Sequence, residues 1–196
     1  SLQQTISACE RSLKRLGTEV IDLYLLHWRG GYGLDDTLSG FDALQRAGKI
    51  RHWGVSNFDL GDLLELDQPA CRTNQVLYNL EARGIEYDLL PWQQRVGMPL
   101  MAYCPLGQAG TLLHQPAVLE VAQRNGVTPA QVALAWVLRQ EGVIAKKADA
   151  PYRPGRTKTW LKIKCTRRQE FVIIGWKMRS IWSSAMPGPL SSTLTS

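Results

Sequence analysis

The sequence predicts an α/β fold in which helices cover a parallel sheet. Strand and helix patterns alternate along residues 1–145, glycines end several of the helical patterns, and the strands are almost continuously apolar. The run at 21–27 is the clearest strand, and strands that are apolar on both faces are typical of parallel sheets. His27 closes this strand, at the carboxyl end where barrels of this class carry their chemistry.

Each predicted element is supported by its own periodicity or by a boundary residue. Strands are predicted at 21–27, 50–55, 73–78 and 99–103, and helices are predicted between and after them. The first helix is expected to end at Gly17, and the second to begin at Asp35 and Asp36 and to end at Gly48. Asp59 should cap a helix at 60–66, and a further helix is predicted at 87–95. Gly126 should end a helix at 116–125, and the capping box Thr128-Pro129-Ala130-Gln131 should begin the last one. These elements make about four strand–helix units. The run 132–138 is apolar nearly all round, so we expect that helix to be well buried.

Length and composition restrict the function classes. The 196 residues are few for a complete eight-stranded α/β barrel, which usually takes about 250. No apolar stretch approaches the roughly 20 residues of a membrane span, and residues 1–10 do not read as a signal peptide, so we expect a cytoplasmic protein without a membrane partner. Four widely spaced cysteines without a C-x-x-C pair predict reduced thiols and no metal site.

Charge divides the chain into two parts. Residues 1–145 hold 12 Lys and Arg against 15 Asp and Glu, a net charge of −3, whereas residues 146–196 hold 11 against 2, a net charge of +9. Strand-like runs at 160–165 and 170–176 indicate a hairpin-like basic extension, and residues 177–196 are Ser-, Pro- and Thr-rich, which predicts a disordered tail. Such an extension either binds nucleic acid or is simply solvated.

Four motifs in order resemble the aldo-keto reductases. They are DLYLLHW at 22–28, GKIR leading to GVSNF at 48–58, NQVLYN at 74–79 and AYCPLG at 102–107. The resemblance implies that residues 1–145 form the second half of a TIM-type (β/α)8 barrel. The predicted fold is therefore an α/β half barrel followed by the short β-hairpin-like extension at 146–176.

The resemblance also implies a site. This family reduces carbonyls with NADPH through an Asp, Tyr, Lys and His tetrad, of which His27 would be the histidine that orients the carbonyl. The implied cofactor residues are Ser56, Asn57 and Gln75 at the nicotinamide carboxamide, Tyr103 stacked on the nicotinamide ring, and Pro105 and Leu106 near the pyrophosphate.

Departures from the family pattern weaken the expected activity. The Asp, Tyr and Lys of the tetrad lie upstream of this histidine in the family, and the sequence begins after them. Lys146-Lys147-Ala148-Asp149 stands where the family continues into residues that bind the adenosine 2′-phosphate. One histidine without its acid cannot protonate a carbonyl, so we expect at most a residual oxidoreductase activity at His27, no required cofactor and weak NADP(H) binding.

Residues 141–176 resemble a second family, the bacterial ATP-dependent DNA ligases. EGVIAK at 141–146 is similar to the nucleotidyltransferase motif IV and WLKIKC at 160–165 to motif V, which implies that Glu141 aids metal binding and that Lys162 and Lys164 contact ATP phosphates. No K-x-D-G nucleophile motif occurs, so ligation is not expected. Because residues 141–145 suit both families, we interpret the chain as a chimeric protein joined there, as recombinant environmental DNA would produce.

Two function classes remain open. A half barrel leaves two sheet edges and an apolar interior to be covered, which predicts a homo-oligomer, with the hairpin covering an edge or touching a neighbour. In the first class the chain is a non-catalytic, self-associating remnant. In the second it binds nucleic acid through basic residues of the extension, namely Lys146, Lys162, Lys164, Arg167 and Arg168. Reduction restored across an oligomer interface is disfavoured, because identical copies lack the same residues.

Overall fold

The computed structural model describes residues 1–31, 33–108 and 111–144, together with the backbone of two strands at 160–163 and 171–174. The described elements follow the order α1 Leu2–Leu16, β1 Ile21–Leu26, α2 Leu34–Arg46, β2 Ile50–Ser56, α3 Leu60–Leu66, β3 Cys71–Leu77, α4 Leu89–Arg95, β4 Leu100–Tyr103, α5 Pro116–Asn125, α6 Pro129–Leu138, β5 Val143–Ile144, β6 Trp160–Ile163 and β7 Phe171–Ile174. The predicted strands agree with these to within about two residues at each end.

The strands form one sheet in the order β5-β4-β3-β2-β1-β7-β6. Neighbours from β1 to β5 are parallel, which confirms the predicted α/β half barrel, with five parallel strands where about four units were expected. β7 pairs antiparallel with both β6 and β1 and so covers the β1 edge, while the connection predicted between β6 and β7 lies outside the described residues.

Large apolar side chains fill the space between the sheet and its helices. Phe41 of α2 stacks on Trp53 of β2 with ring centroids 5.0 Å apart, and Tyr24 of β1 meets Phe41 edge-on at 6.2 Å. All three belong to one continuous core cluster. The opposite face carries a smaller cluster made of Leu23, Leu25, Met101 and Ile144. The helix-covered face therefore provides most of the apolar burial.

Helix boundaries follow local chemistry, with three corrections. Gly17 and Gly126 end α1 and α5 in the left-handed region, and Asp59 and Thr128 cap α3 and α6 as predicted. The second helix is instead capped by Gly33, which leaves Asp35 and Asp36 in its first turn, where the helix dipole favours carboxylates. The helix predicted at 87–95 begins at Leu89 behind the Asp88 cap. The prediction for 132–138 was wrong: only Ala133 and Val137 are buried and Leu138 is exposed, because α6 meets its neighbours on one side.

Gly54 lies at a close approach between β2 and β3. A Cβ at this position would sit 2.5 Å from the carbonyl oxygen of Thr73 and 2.9 Å from Leu25 Cδ2. The register between the two strands shifts between Trp53 and Val55 at the same point. The missing side chain therefore allows the irregularity that sets the height of the β2 carboxyl end.

The described part has no helix that is long and apolar enough to cross a membrane. Its cysteines, Cys9, Cys71 and Cys104, are free thiols. Burial raises the pKa of Cys9 and of Cys71 to about 12 in each case. Both groups are therefore neutral packing residues at physiological pH.

Candidate functional site

Strand register brings three predicted site residues level with one another. Val55 pairs with Leu26 on one side and Asn74 on the other, so the next residues of β1, β2 and β3 are His27, Ser56 and Gln75. Ser56 is fully buried, and His27 and Gln75 are 9% and 6% exposed. The motifs therefore meet at the carboxyl ends of adjacent parallel strands, as predicted.

Hydrogen bonds join these residues into one unit, which we call the polar row: His27, Ser56, Asn57 and Gln75. Asn57 Nδ2 donates to the carbonyl oxygen of His27 at 3.0 Å and to Ser56 Oγ at 3.1 Å. The Ser56 hydroxyl donates to the carbonyl oxygen of Gln75 at 2.8 Å, and the Asn57 backbone N–H reaches the same oxygen at 2.8 Å. Asn57 holds a φ of 61°, a left-handed conformation that asparagine tolerates better than most residues.

The hydrogen-bonding groups that the polar row leaves available suit a primary amide. Both donations from Asn57 leave through its amide nitrogen, so Oδ1 remains as the acceptor for an incoming N–H group. Gln75 Nε2 lies 3.1 Å from Met101 Sδ, and a thioether is a weak acceptor that a carbonyl oxygen can replace. Nicotinamide carries one carboxamide, which offers both an N–H donor and a carbonyl acceptor.

Tyr103 ends β4 beside this row. It pairs with Leu77, two residues beyond the pairing of Gln75 with Met101. The ring is half-buried, and burial, with a smaller contribution from the neighbouring Cys104, raises the pKa of its phenol. Tyr103 is therefore a neutral aromatic surface at the mouth of the strand ends.

A tight turn follows Tyr103 and holds the predicted pyrophosphate residues. Cys104 has a φ of 50°, Gly107 has a φ of 81°, and the Gly107 N–H donates to the Cys104 carbonyl oxygen at 2.9 Å. Pro105 and Leu106 lie between them, half-buried, and Leu106 packs against the satellite core of α5 and α6.

Two asparagines support the site, and the sequence did not assign a role to either. Asn74 Nδ2 donates to the carbonyl oxygen of Phe58 at 2.8 Å, while its Oδ1 accepts the Phe58 N–H at 3.4 Å, so it fixes the turn that contains Asn57. Asn79 holds the turn after Tyr103 through one bond, in which its Nδ2 donates to the Cys104 carbonyl oxygen at 2.9 Å. Asparagine is depleted in strands, so two buried asparagines, one inside β3 and one just after it, were the available signal.

The segment after His27 is tied to α3. The ring of Trp28 meets the imidazole of His27 edge-on at 5.9 Å and is half exposed. The Arg29 guanidinium binds Asp62 at 2.7 Å and both oxygens of Glu65. These hydrogen bonds raise the pKa of Arg29 and lower that of Glu65, so the ion pair stays charged near neutral pH.

Among the residues whose side chains the structure describes, no lysine lies near the polar row. Lys14 lies in α1, and Lys49 precedes β2 at the amino end of the sheet, where its ammonium pairs with Glu10. Within the same residues, no group of three or more potential ligands could hold a metal ion. Glu141 is an exposed turn residue whose carbonyl oxygen accepts from Gln94 Nε2 at 2.7 Å. The side chains of Lys146, Lys162, Lys164, Arg167 and Arg168 lie outside the described residues.

Comparison with known proteins agrees with this geometry. The sequence model of the Aldo/keto reductase family matches residues 1–149. The chain belongs to the aldo/keto reductase family. Methylglyoxal reductase YeaE of Escherichia coli is 52% identical over 151 residues, which cover 73% of this chain and 53% of that protein. Glyoxal reductase of Bacillus subtilis is 37% identical over 145 residues, covering 72% and 51%.

A solved aldo/keto reductase shares the fold. The Klebsiella pneumoniae enzyme, crystallised with NADP and acetate, has 51% sequence identity and a TM-score of 0.68, and the match covers 71% of this chain and 52% of that one. This chain thus spans about half the length of the aldo/keto reductases it matches. The family match runs past the residues at 141–145 that both predicted families share.

Proposed function

We propose that the chain binds NADP(H) at the carboxyl ends of β1 to β4, and that it does so without reducing a carbonyl on its own. The observation that carries this proposal is the hydrogen-bonded polar row, which leaves Asn57 Oδ1 and the Gln75 amide to meet a carboxamide. Two crystal structures of Klebsiella pneumoniae aldo/keto reductase, with 51% identity over 71% and 70% of this chain, contain NADP and NADPH, which supports the choice of ligand.

The proposed cofactor site is formed by the ends of three strands, β2, β3 and β4, and by the turn that follows β4. Asn57 Oδ1 would accept from the carboxamide N–H, and Gln75 Nε2 would donate to its oxygen after releasing Met101. Tyr103 would lie against the nicotinamide ring, a contact between aromatic planes. The turn with Pro105 and Leu106 would approach the pyrophosphate.

Carbonyl reduction needs a hydride, which bound NADPH supplies, and a proton. His27 would orient the carbonyl oxygen through its imidazole. The two lysines with described side chains, Lys14 and Lys49, lie away from His27, and Tyr78 directs its hydroxyl to Glu86 at 2.8 Å, so none of these provides an activated acid at the polar row. We therefore propose that this half barrel binds NADP(H) without reducing a carbonyl, and that the fold does not require NADP(H).

The substrate class of a completed site would be small dicarbonyl compounds. Relatives named methylglyoxal reductase and glyoxal reductase support this choice. Methylglyoxal is consequently the substrate with which residual reduction should be tested.

Self-association is the second part of the proposal. β5 ends the sheet and is only two residues long, so its outer edge has no strand partner among the described residues. A second copy would cover this edge. Light-scattering mass should exceed 22.0 kDa, and Ile144→Glu should lower it by placing a charge on the β5 edge. A monomer of the unaltered chain would refute this part.

NADPH titration tests the binding proposal. Gln75→Met removes the amide while keeping a similar volume, so we expect the Kd for NADPH to rise about tenfold, equivalent to about 1.4 kcal/mol. Gln93→Met, which removes a buried glutamine in α4, should leave the Kd unchanged. Absence of saturable NADPH binding would overturn the proposal. Loss of NADPH absorbance with methylglyoxal would overturn its non-catalytic part.

Nucleic-acid binding by the basic extension is the alternative, in the chimeric interpretation of residues 141–196. The +9 charge of residues 146–196, which carry 11 basic and 2 acidic side chains, favours it. Binding to duplex DNA should fall steeply with salt, because each phosphate contact releases a counterion. DNA binding that is absent at low salt would remove this alternative. A cytoplasmic location remains part of the proposal.

A further inference from the structure

We infer that Asn79 is a positioning residue for Tyr103, the aromatic ring proposed to lie against nicotinamide. The Asn79 side chain fixes the turn that sets the orientation of Tyr103. This inference rests on the proposed function for its consequence in binding, and on geometry alone for the positioning itself. Asn79 contacts neither the polar row nor the cofactor position in any of its hydrogen bonds, so its effect would pass through the turn.

Asn79 uses both ends of its amide. Oδ1 accepts the backbone N–H groups of Glu81 and Ala82, each at 2.9 Å, which closes the loop after β3. Nδ2 donates to the carbonyl oxygen of Cys104 at 2.9 Å, across to the next strand end. The residue is 2% exposed, so water cannot readily replace either set of bonds.

The carbonyl group that accepts from Asn79 belongs to Cys104, in the turn directly after Tyr103. The Cys104 carbonyl oxygen takes two hydrogen bonds, one from Asn79 Nδ2 and one from the Gly107 N–H at 2.9 Å. Cys104 holds a φ of 50°, which is unfavourable for a side chain that is not glycine, asparagine or aspartate. A conformation of that kind persists only where the surroundings enforce it, and the Asn79 amide is a contact that does so.

The loop that presents Asn79 is itself anchored. Glu81 Oε1 accepts from Gln115 Nε2 at 3.1 Å at the start of α5, and the Arg83 guanidinium lies 5.3 Å from the ring centroid of Trp136 in α6. Leu80 and Leu106 both pack into the satellite core with Leu112. Asn79 thus joins an anchored loop to the turn after Tyr103. Without Asn79, the Cys104 carbonyl oxygen in that turn would keep only the hydrogen bond from the Gly107 N–H.

Asn79→Asp separates the two ends of the amide. The carboxylate still accepts from Glu81 and Ala82, but it cannot donate to Cys104 and instead faces its carbonyl oxygen. Asn125→Asp is the matched control, because Asn125 Nδ2 donates to the Val121 carbonyl oxygen at 2.8 Å at the end of α5, away from the turn. Asn79→Ser is a second variant that keeps an acceptor but is too short to reach Cys104.

Two readouts on the full chain report the turn directly. Fluorine NMR of 3-fluorotyrosine-labelled protein, with the Tyr103 resonance assigned by Tyr103→Phe, should show a shifted Tyr103 line in N79D and an unchanged line in N125D. Hydrogen exchange of the Gly107 N–H should be at least about tenfold faster in N79D, since its acceptor is no longer held. A general loss of stability would instead move the other tyrosine lines as well.

Cofactor binding then connects positioning with function. The Kd for NADPH should rise about tenfold in N79D and in Asn79→Ser and should not change in N125D. If the unaltered chain binds no NADPH, the proposed function fails while the Tyr103 line still decides the positioning role. If the Tyr103 line and the Gly107 exchange match those of the unaltered chain in the variant that folds, the inference is wrong.

Discussion

The helix-covered face of the sheet and the carboxyl ends of β1 to β3 are held by different interactions. On the covered face, Phe41 and Trp53 stack within one large apolar cluster. At the strand ends, the side chains of Ser56, Asn57 and Asn74 donate to backbone carbonyl groups of neighbouring strand ends and of the turn after β2. Burial of area is non-directional, whereas these bonds fix atoms to within tenths of an ångström. The covered face should therefore set stability, and the strand ends should set geometry and binding.

The largest expected effect is on the covered face. Phe41→Ala removes a ring that is 1% exposed and stacked at 5.0 Å on Trp53, so it should cost about 3–5 kcal/mol of unfolding free energy. Urea unfolding followed by circular dichroism measures this. Tyr87→Ala, at a residue 95% exposed, should change the same quantity by less than about 0.5 kcal/mol. Equal costs for the two variants would show that this face is not the stabilising region.

Gly54→Ala tests the boundary between the two regions. A methyl group there would meet the Thr73 carbonyl oxygen at 2.5 Å, and relief requires β2 and β3 to separate. We expect a loss of about 1–3 kcal/mol by urea unfolding. Gly84→Ala has no atom within 4 Å of the added methyl and is the control. A cost no larger than that of Gly84→Ala would mean that the strands have room that the structure does not show.

The sequence predicted the fold better than the supports of the site. Apolar strands and capping residues are local signals, so β1 to β4 and the caps Asp59 and Thr128 were found from the chain alone. The motifs also placed His27 and Ser56 at strand ends, where register brings them level. Roles such as those of Asn74 and the bulge at Gly54 depend on contacts between strands far apart in sequence, which no local pattern contains.

Ser56→Ala compares a hydrogen bond at the strand ends with an equivalent bond elsewhere. It loses the donation to the Gln75 carbonyl oxygen at 2.8 Å and the acceptor for Asn57 Nδ2. Ser12→Ala loses a similar buried donation, to the Ala8 carbonyl oxygen at 3.0 Å within α1. Both should cost about 1 kcal/mol of stability, but only Ser56→Ala should weaken NADPH binding, by about tenfold. Equal Kd values for NADPH in the two variants would show that the Ser56 hydroxyl of the polar row does not contribute to cofactor binding.

Buried and half-buried thiols give a pH-dependent comparison. Burial raises the pKa of Cys9 and Cys71 from about 9 to about 12, so between these values the unfolded chain releases protons that the folded chain retains. These two thiols therefore contribute stability below pH 9 that is lost as the pH rises through 9 toward 12. Among the three described cysteines, iodoacetamide followed by peptide mass spectrometry at pH 8 should modify half-buried Cys104 before Cys9 or Cys71. Faster labelling of Cys9 or Cys71 would contradict the described packing.

Arg29→Gln should have the smallest effect, because its ion pairs with Asp62 and Glu65 are at the surface. The hydrogen bonds from Arg29 lower the pKa of Glu65. The stabilisation from this pair is therefore fully present above the ordinary pKa of a glutamate, and it is lost as the pH falls through the lowered pKa. The difference in Tm between the variant and the unaltered chain should be small at low salt and vanish in 1 M NaCl, where the Debye length is about 3 Å. A difference in Tm that persists in 1 M NaCl would mean that Arg29 acts through packing of its methylene stem instead of its charge.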